Sequence, residues 1–97
     1  MEGKIIILEE KRTNKRNSVS LPIIYAFSNE HRISVNHGTT FDISDSGIGF
    51  YTDKPLNEGT TLQVHLSHVW DFPKSSIVRW CSMKKVNLYR VGLAFQL

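Results

Sequence analysis

The sequence has almost none of the residues that cross-link small secreted folds. Cys81 is the single cysteine among 97 residues, so neither a disulfide within the chain nor a multi-cysteine zinc site is possible. Long hydrophobic runs are missing too. The apolar run near the start, from Ile5 to Leu8, has four residues, whereas a membrane helix needs about 20 and the apolar part of a signal peptide at least about 7. These absences predict a cytoplasmic protein without a membrane span.

The chain also lacks a strong excess of one charge. Twelve basic residues face nine acidic ones, for a net charge of +3, and much of the excess lies in one stretch, Lys11 to Arg16, which reads KRTNKR. Apolar residues make up 40% and charged residues 22%, which is typical of a soluble globular domain with one core. We therefore expect a flexible basic arm within residues 1–17 and one folded domain over residues 18–97. A local cationic arm favours a small anionic partner.

No stretch has a convincing helical period, and the apolar residues alternate instead. Strand sequence is predicted over residues 18–27, 32–44, 48–52, 62–66, 75–83 and 88–97. The second of these stretches alternates on both sides of a turn signal at His37-Gly38, and Pro22 lies at a strand start, edge or bulge. In the fourth strand, Leu62, Val64 and Leu66 share one face. Such spacing is typical of a small antiparallel sandwich or barrel, and closure is favoured because open sheets expose pairing edges. We predict an all-β, six-stranded antiparallel barrel without a long C-terminal helix.

Two motifs stand out from this pattern. Arg12 and Arg16 form R-x-x-x-R, and Asp42, Ser44 and Gly47 form D-x-S-x-x-G about one hairpin later. At average residue usage, the first occurs by chance in about a quarter of chains of this length and the second in about two per cent, so the second carries more weight. In this order, the two motifs resemble the signature of PilZ domains, the bacterial receptors for cyclic di-GMP.

The resemblance extends beyond the motifs, over roughly Lys11 to Phe95. The segments VSLPIIYAF, DISDSGIGFYTDKPLNEGTTLQVHL and YRVGLAF all look like PilZ segments in their expected places. The resemblance implies a PilZ-type barrel and ligand contacts from Arg12, Arg16, Asp42, Ser44 and Gly47. The secondary candidates are Lys11, Lys15 and Trp80. Many PilZ domains continue into a C-terminal helix, whereas this sequence ends at Leu97.

The chemistry of these residues suits a guanine ligand. An arginine guanidinium matches the O6 and N7 acceptors of guanine with two parallel donors, and it also stacks on bases and pairs with phosphate. Arg12 and Arg16, four positions apart, lie on one side of the arm. An ionised Asp42 accepts hydrogen bonds from N1-H and N2-H at the other edge of guanine, and alternation puts Ser44 on the same face. Gly47 permits positive φ and close approach at a turn.

Simpler interpretations exist for several of these residues. The stretch DISDSG is also compatible with a hairpin turn capped by aspartate or serine, with or without a ligand. Trp80 also fits a core or rim aromatic residue. His65 and His68, three apart on a strand, would point to opposite faces, which argues against a metal site. No nucleophile with its base is evident either, so we expect neither metal binding nor catalysis.

The sequence therefore predicts a non-catalytic cyclic di-GMP sensor, with no cofactor, whose basic arm becomes ordered when the ligand bridges it to the barrel. The signal then passes to a partner protein. The alternative is a PilZ-type protein-interaction module that binds no nucleotide. A barrel for single-stranded nucleic acid leaves D-x-S-x-x-G unexplained, so neither DNA nor RNA is expected as a partner. Whether one or two ligands bind, and whether the protein is a monomer or a dimer, is left open.

Overall fold

The fold is a closed barrel of six antiparallel strands, seen in a computed structural model that describes residues 17–28 and 32–96. The strands are β1 (Pro22–Ser28), β2 (Ile33–Ile43), β3 (Gly47–Thr52), β4 (Thr61–His65), β5 (Lys74–Lys85) and β6 (Leu88–Phe95). Their order around the barrel is β1-β2-β3-β6-β5-β4, and β4 closes it by pairing with β1. The prediction of a six-stranded, all-β barrel is confirmed. Across the described residues there is no helix, and so none with the length and apolar character to cross a membrane.

The interior is filled by apolar side chains that alternate along the strands. The core consists of Ile23 and Tyr25 from β1, Ile48 and Phe50 from β3, Leu62 and Val64 from β4, Leu66 just after it, Val78 from β5, and Val91 and Leu93 from β6. Burial of this apolar surface is the main source of stability for a barrel of this size. Leu62, Val64 and Leu66 share the buried face as predicted, although β4 ends at His65.

The chain enters β1 along a path held by one buried threonine. Thr40, in β2, is 1% exposed. Its Oγ1 accepts a hydrogen bond from the amide of Leu21 at 2.9 Å and donates one to the carbonyl of Val19 at 2.6 Å. Pro22 then begins β1, which is one of the positions predicted for it, because the first residue of a strand can lack an amide donor. Residues 19–22 are therefore fixed against β2.

The turn predicted at His37-Gly38 is wrong, because β2 runs without interruption from Ile33 to Ile43. Gly38 lies in mid-strand, paired with Ile23 of β1. A Cβ at Gly38 would lie 2.5 Å from the carbonyl oxygen of Tyr51 and 2.8 Å from the Phe50 ring. Gly38 is needed for close packing inside the barrel. In sequence, a glycine with this role cannot be distinguished from a glycine in a turn.

Candidate functional site

A cleft of about 350 Å³ opens on the outer face of the barrel, across β2, β3, β6 and β5. Its floor is made of small residues on the two central strands, where Gly47 pairs with Ala94 and Gly49 pairs with Gly92. The D-x-S-x-x-G residues Asp42, Ser44 and Gly47 all line this cleft, and Arg79 and Trp80 line it from β5. The structure thus brings the second motif together with one secondary candidate, Trp80.

Two β-bulges set which side chains face the cleft. The register of β2 against β3 shifts between Thr40 and Asp42, and that of β5 against β6 shifts between Val78 and Trp80. A bulge inserts one extra residue and redirects the side chains beside it. After both shifts, one row crosses the four strands in the order Asp42, Gly49, Gly92, Trp80. The carboxylate and the indole therefore stand on opposite sides of a glycine pair.

Ser44 organises the turn between β2 and β3. Its Oγ accepts hydrogen bonds from the amides of Ser46 at 3.3 Å and Gly47 at 3.2 Å, and its own amide donates to the carbonyl of Gly47 at 2.9 Å. The carbonyl of Ser46 accepts a bond from the amide of Phe95 at 2.9 Å, which ties the turn to β6. The predicted capping role of this serine is present. Its hydroxyl proton has only weak acceptors at 3.4 Å, so it can still serve a better one.

Gly47 serves close packing between strands. Among the described residues the glycine with positive φ is Gly59, at 89°, so Gly47 does not use the positive φ that a glycine permits. A Cβ on Gly47 would overlap the carbonyl oxygen of Leu93 and lie 3.2 Å from its carbonyl carbon. Any larger residue would push β3 away from β6 and open the cleft floor.

Beside the cleft, three aromatic rings and one arginine form a group that we call the ring cluster: Phe41, Tyr51, Trp80 and Arg90. Phe41 lies 5.0 Å from Tyr51 and 6.5 Å from Trp80, measured between ring centroids. The guanidinium of Arg90 lies 4.6 Å from the Phe41 centroid and 5.8 Å from the Trp80 centroid, within cation-π range. The cluster holds the indole of Trp80 in place while leaving this residue 40% exposed.

Two glycines leave room for the rings of Phe41 and Trp80. An added Cβ at Gly49 would lie 2.6 Å from the Phe41 ring, and one at Gly92 would overlap the Trp80 indole. Each ring therefore lies against the backbone of a neighbouring strand. Sequence reasoning missed the cluster, because pairing each aromatic residue with its glycine requires the strand register, and both bulges change that register.

Arg79 is the second functional candidate that sequence reasoning missed. It is the extra residue of the β5 bulge, it is exposed, and it lines the cleft on the side opposite to Asp42. The cleft thus has an acidic wall on β2 and a basic wall on β5. A cation next to Trp80 in a predicted strand was the available signal, but alternation alone would have turned Arg79 and Trp80 to opposite faces.

The basic arm joins the barrel beside this cleft. Arg12, Arg16, Lys11 and Lys15 lie outside the described residues. Asn17, the residue directly after Arg16, forms an antiparallel bridge with Ile43, in which its amide donates to the Ile43 carbonyl at 2.9 Å and the Ile43 amide donates back at 3.0 Å. Ile43 lies between Asp42 and Ser44, so the end of the arm is anchored in the middle of the second motif.

The histidine pair has a different arrangement from the one expected. His65 ends β4, and its Nε2 lies 3.1 Å from the carbonyl oxygen of Trp70. His68 belongs to the following turn, so the prediction that both occupy one strand is wrong. Residues 17–28 and 32–96 contain no group of three or more His, Cys, Asp or Glu side chains arranged to hold a metal ion.

Comparison with known proteins places the chain in one family. A search of curated proteins finds no match. The family model described as PilZ domain matches residues 10–97, a range that includes the arm motif, the second motif and all six strands. Since this match covers nearly the whole chain, the protein belongs to the PilZ domain family.

Proposed function

We propose that this protein is a non-catalytic cytoplasmic sensor that binds cyclic di-GMP between its basic arm and the cleft on the barrel. The observation that carries the proposal is the bridge between Asn17 and Ile43. It joins the arm that contains Arg12 and Arg16 to the strand segment that contains Asp42 and Ser44. The residue directly after Arg16 is thus fixed beside the second motif, which supports a binding site that both motifs share.

The chemistry of the cleft suits one guanine base. The carboxylate of Asp42 can accept hydrogen bonds from N1-H and N2-H, and the exposed indole of Trp80 offers a flat apolar surface for stacking. At the Gly47–Ala94 pair, where no ring covers the floor, small residues let a planar base approach the backbone. Arg12 and Arg16 supply guanidinium groups for phosphate or for a base face, two contacts that lysine reproduces poorly.

The signal in this proposal is a change in the surface beside the cleft. Cyclic di-GMP carries two phosphate charges, so its binding neutralises part of the arm and draws the arm against the barrel. The surface that results differs from the ligand-free one in charge and in shape. A partner protein that recognises only one of the two surfaces would read the state of the sensor.

Calorimetry tests the proposal directly. Cyclic di-GMP should bind far more tightly than GMP, GTP or a short linear RNA, because two guanines and two phosphates must be engaged together. The Asp42→Asn variant serves as the matched control for site occupancy. Equal affinities across these ligands, or no binding of any, would contradict the sensor function and favour a module that binds protein only.

The alternative function, a PilZ module that binds a protein and no nucleotide, has one observation in its favour. Ile33 and Val35 are 68% and 61% exposed on β2, in the half of the strand that precedes its pairing with β3. Exposed apolar side chains beside strand backbone are suited to contact with another protein. Such a surface is also compatible with a nucleotide sensor, because the sensor needs an output partner.

A further inference from the structure

We propose that the open edge of β2 is a dimerisation surface, on which a second copy of this chain adds its own β2 as an antiparallel strand. The open edge consists of residues 33–37, in the half of β2 that precedes its pairing with β3. The inference is independent of the proposed nucleotide function, because none of these residues lines the cleft.

The edge is open because β3 leaves the sheet early. β3 pairs with β2 only from Thr39 onward, and after Thr52 the chain bends away so that Leu56 packs against the core. Within the described part of the chain, no strand pairs with residues 33–37 on that side, and no backbone group of a turn or loop bonds to them. On their other side, the same residues pair with β1 in an uninterrupted register.

The register shows which backbone groups face the open side. Thr40 donates its amide to the carbonyl of Leu21, on the β1 side of the strand, and the backbone groups of successive strand residues point alternately to the two sides. The even-numbered residues before Thr40 therefore point to β1. The N–H and C=O groups of Ile33, Val35 and His37 point to the open side, where they are available to another strand.

The side chains of this edge do nothing to protect it. Ile33 and Val35 are both largely exposed, and residues 33–38 include no charged residue. Soluble proteins usually protect an unpaired strand edge with lysines, prolines or bulges. β5, which also runs past its pairing with β4, is protected in this way, since it has two register shifts and ends in Lys84 and Lys85. The absence of such protection on β2 favours an edge that is paired in the working protein.

A second copy of the chain fits this edge in a symmetrical register. When Val35 lies opposite Val35 of the second copy, Ile33 of each copy lies opposite His37 of the other. Each of the three resulting pairs exchanges two backbone hydrogen bonds, for about six in all. A two-fold axis closes this arrangement, so it gives a dimer and no longer assembly.

The composition of the edge favours a second copy over a different protein. Two valines directly opposite each other form a favourable cross-strand pair, and no like charges meet at any position of the register. Residues 33–38 also carry no charge with which to select a partner of opposite charge. Self-pairing is therefore the contact for which the edge is complementary.

The experiment measures the mass of the nucleotide-free protein by sedimentation equilibrium from about 10 μM to about 1 mM, the range expected for a small interface. Val35→Lys and Val35→Glu each place like charges opposite each other at the two-fold axis, so we expect either one to weaken dimerisation at least about tenfold. Val69→Lys is the matched control, because Val69 is a comparably exposed valine in the turn after β4. It should change dimerisation less than about twofold. All three variants should keep the thermal midpoint of the parent, because each changes an exposed side chain.

A mixture of the two charge variants gives the decisive comparison. Val35→Lys and Val35→Glu should form a mixed dimer although each is monomeric alone, because residue 35 of one copy meets residue 35 of the other. A parent that is monomeric at about 1 mM would overturn the proposal in favour of a different protein on this edge. A dimer that neither variant weakens, or two monomeric variants that form no mixed dimer, would overturn it as well.

A cross-link tests the same register without adding a charge. Val35→Cys should form a disulfide-linked dimer on air oxidation, because Cα atoms of directly opposite residues in a hydrogen-bonded pair lie about 5.5 Å apart. The parent, which retains Cys81, should not. A cross-link that forms equally in Val69→Cys would show random collision between molecules and would count against the proposed dimer.

Discussion

The two faces of the sheet formed by β2, β3, β6 and β5 have opposite compositions. Toward the interior, this sheet presents large apolar side chains such as Phe50 and Val91, both fully buried. Toward the cleft, it presents glycines, a carboxylate and the ring cluster. Neighbouring residues on one strand therefore serve different purposes, one stability and the other binding. Substitutions at adjacent positions of one strand should therefore affect different properties, stability at one position and binding at the next.

At the cleft, this simple alternation fails at two bulges. At each bulge, two consecutive residues lie on or near the cleft side: Phe41 with Asp42, and Arg79 with Trp80. The surface gains polar and aromatic groups there without any loss from the core, because Thr40 and Val78 before the shifts remain buried. These two bulges are thus positions suited to ligand recognition, whereas the third register shift, between Met83 and Lys85, lies outside the cleft.

The largest effect should come from the interior face. Phe50→Ala removes a fully buried ring whose centroid lies 5.2 Å from that of the Tyr25 ring. We expect this change to lower the free energy of unfolding by about 3–5 kcal/mol. Tyr51→Ala, one position along the same strand, removes a ring on the cleft side and should cost less than half as much. Urea denaturation measures both. Equal losses would mean that the ring cluster is as important to stability as the core.

The arm should give the largest effect on affinity and almost none on stability. Arg12→Ala or Arg16→Ala should lower affinity for cyclic di-GMP at least about 100-fold, which is roughly 2.7 kcal/mol, because no other side chain type supplies the same fork. Lysine at either position should restore little. Calorimetry measures the affinity, and a thermal scan is its control. A melting temperature that drops sharply in these variants would show that the arm is part of the folded core.

The cleft wall should give the next largest effect. Asp42→Asn keeps the shape but replaces an acceptor oxygen with a donor amide facing N1-H or N2-H, so we expect a cost of about 2–3 kcal/mol, or roughly 30- to 150-fold in affinity. Asp45→Asn is the matched control, since Asp45 belongs to the same turn but does not line the cleft. Affinity within about twofold of the parent would identify Asp42 as a turn residue only.

The barrel could be predicted from sequence because alternation is a local property. Leu62 and Val64 reveal their shared face without any knowledge of neighbouring strands. The turn predicted at Gly38 was wrong because a glycine shows that a side chain is excluded at that position but not whether a turn or close packing excludes it. The position of Arg79 at the cleft and the contact of Trp80 with Gly92 could not be predicted. Both depend on a one-residue shift in register between two strands, which the sequence of either strand alone does not indicate.

The smallest expected effect concerns a polar contact within the core. The Tyr25 hydroxyl and Thr52 Oγ1 form a buried hydrogen bond of 2.7 Å. Tyr25→Phe leaves the threonine hydroxyl without that partner, so we expect a loss of about 1–2 kcal/mol in the free energy of unfolding. Replacing both residues, Tyr25→Phe with Thr52→Val, should cost less than the sum of the single changes, because no orphaned polar group remains. Additive losses would contradict a direct contact.

The pH dependence of the same pair gives a second measurement. Burial raises the pKa of Tyr25 above its ordinary value of 10.0, and the bond to Thr52 opposes this rise. Below about pH 10 the tyrosine is protonated both in the folded and in the unfolded chain, so its contribution to stability is constant. Above that pH the unfolded chain loses the proton first, and the parent loses stability as the pH rises through the folded pKa. Tyr25→Phe lacks this loss.

The difference in unfolding free energy between parent and variant should therefore be constant from pH 7 to pH 9 and should shrink above pH 10, when measured by urea denaturation. A difference that stays unchanged up to pH 11 would mean that the Tyr25 hydroxyl ionises as easily inside the barrel as in the unfolded chain, and that this end of the core is open to water.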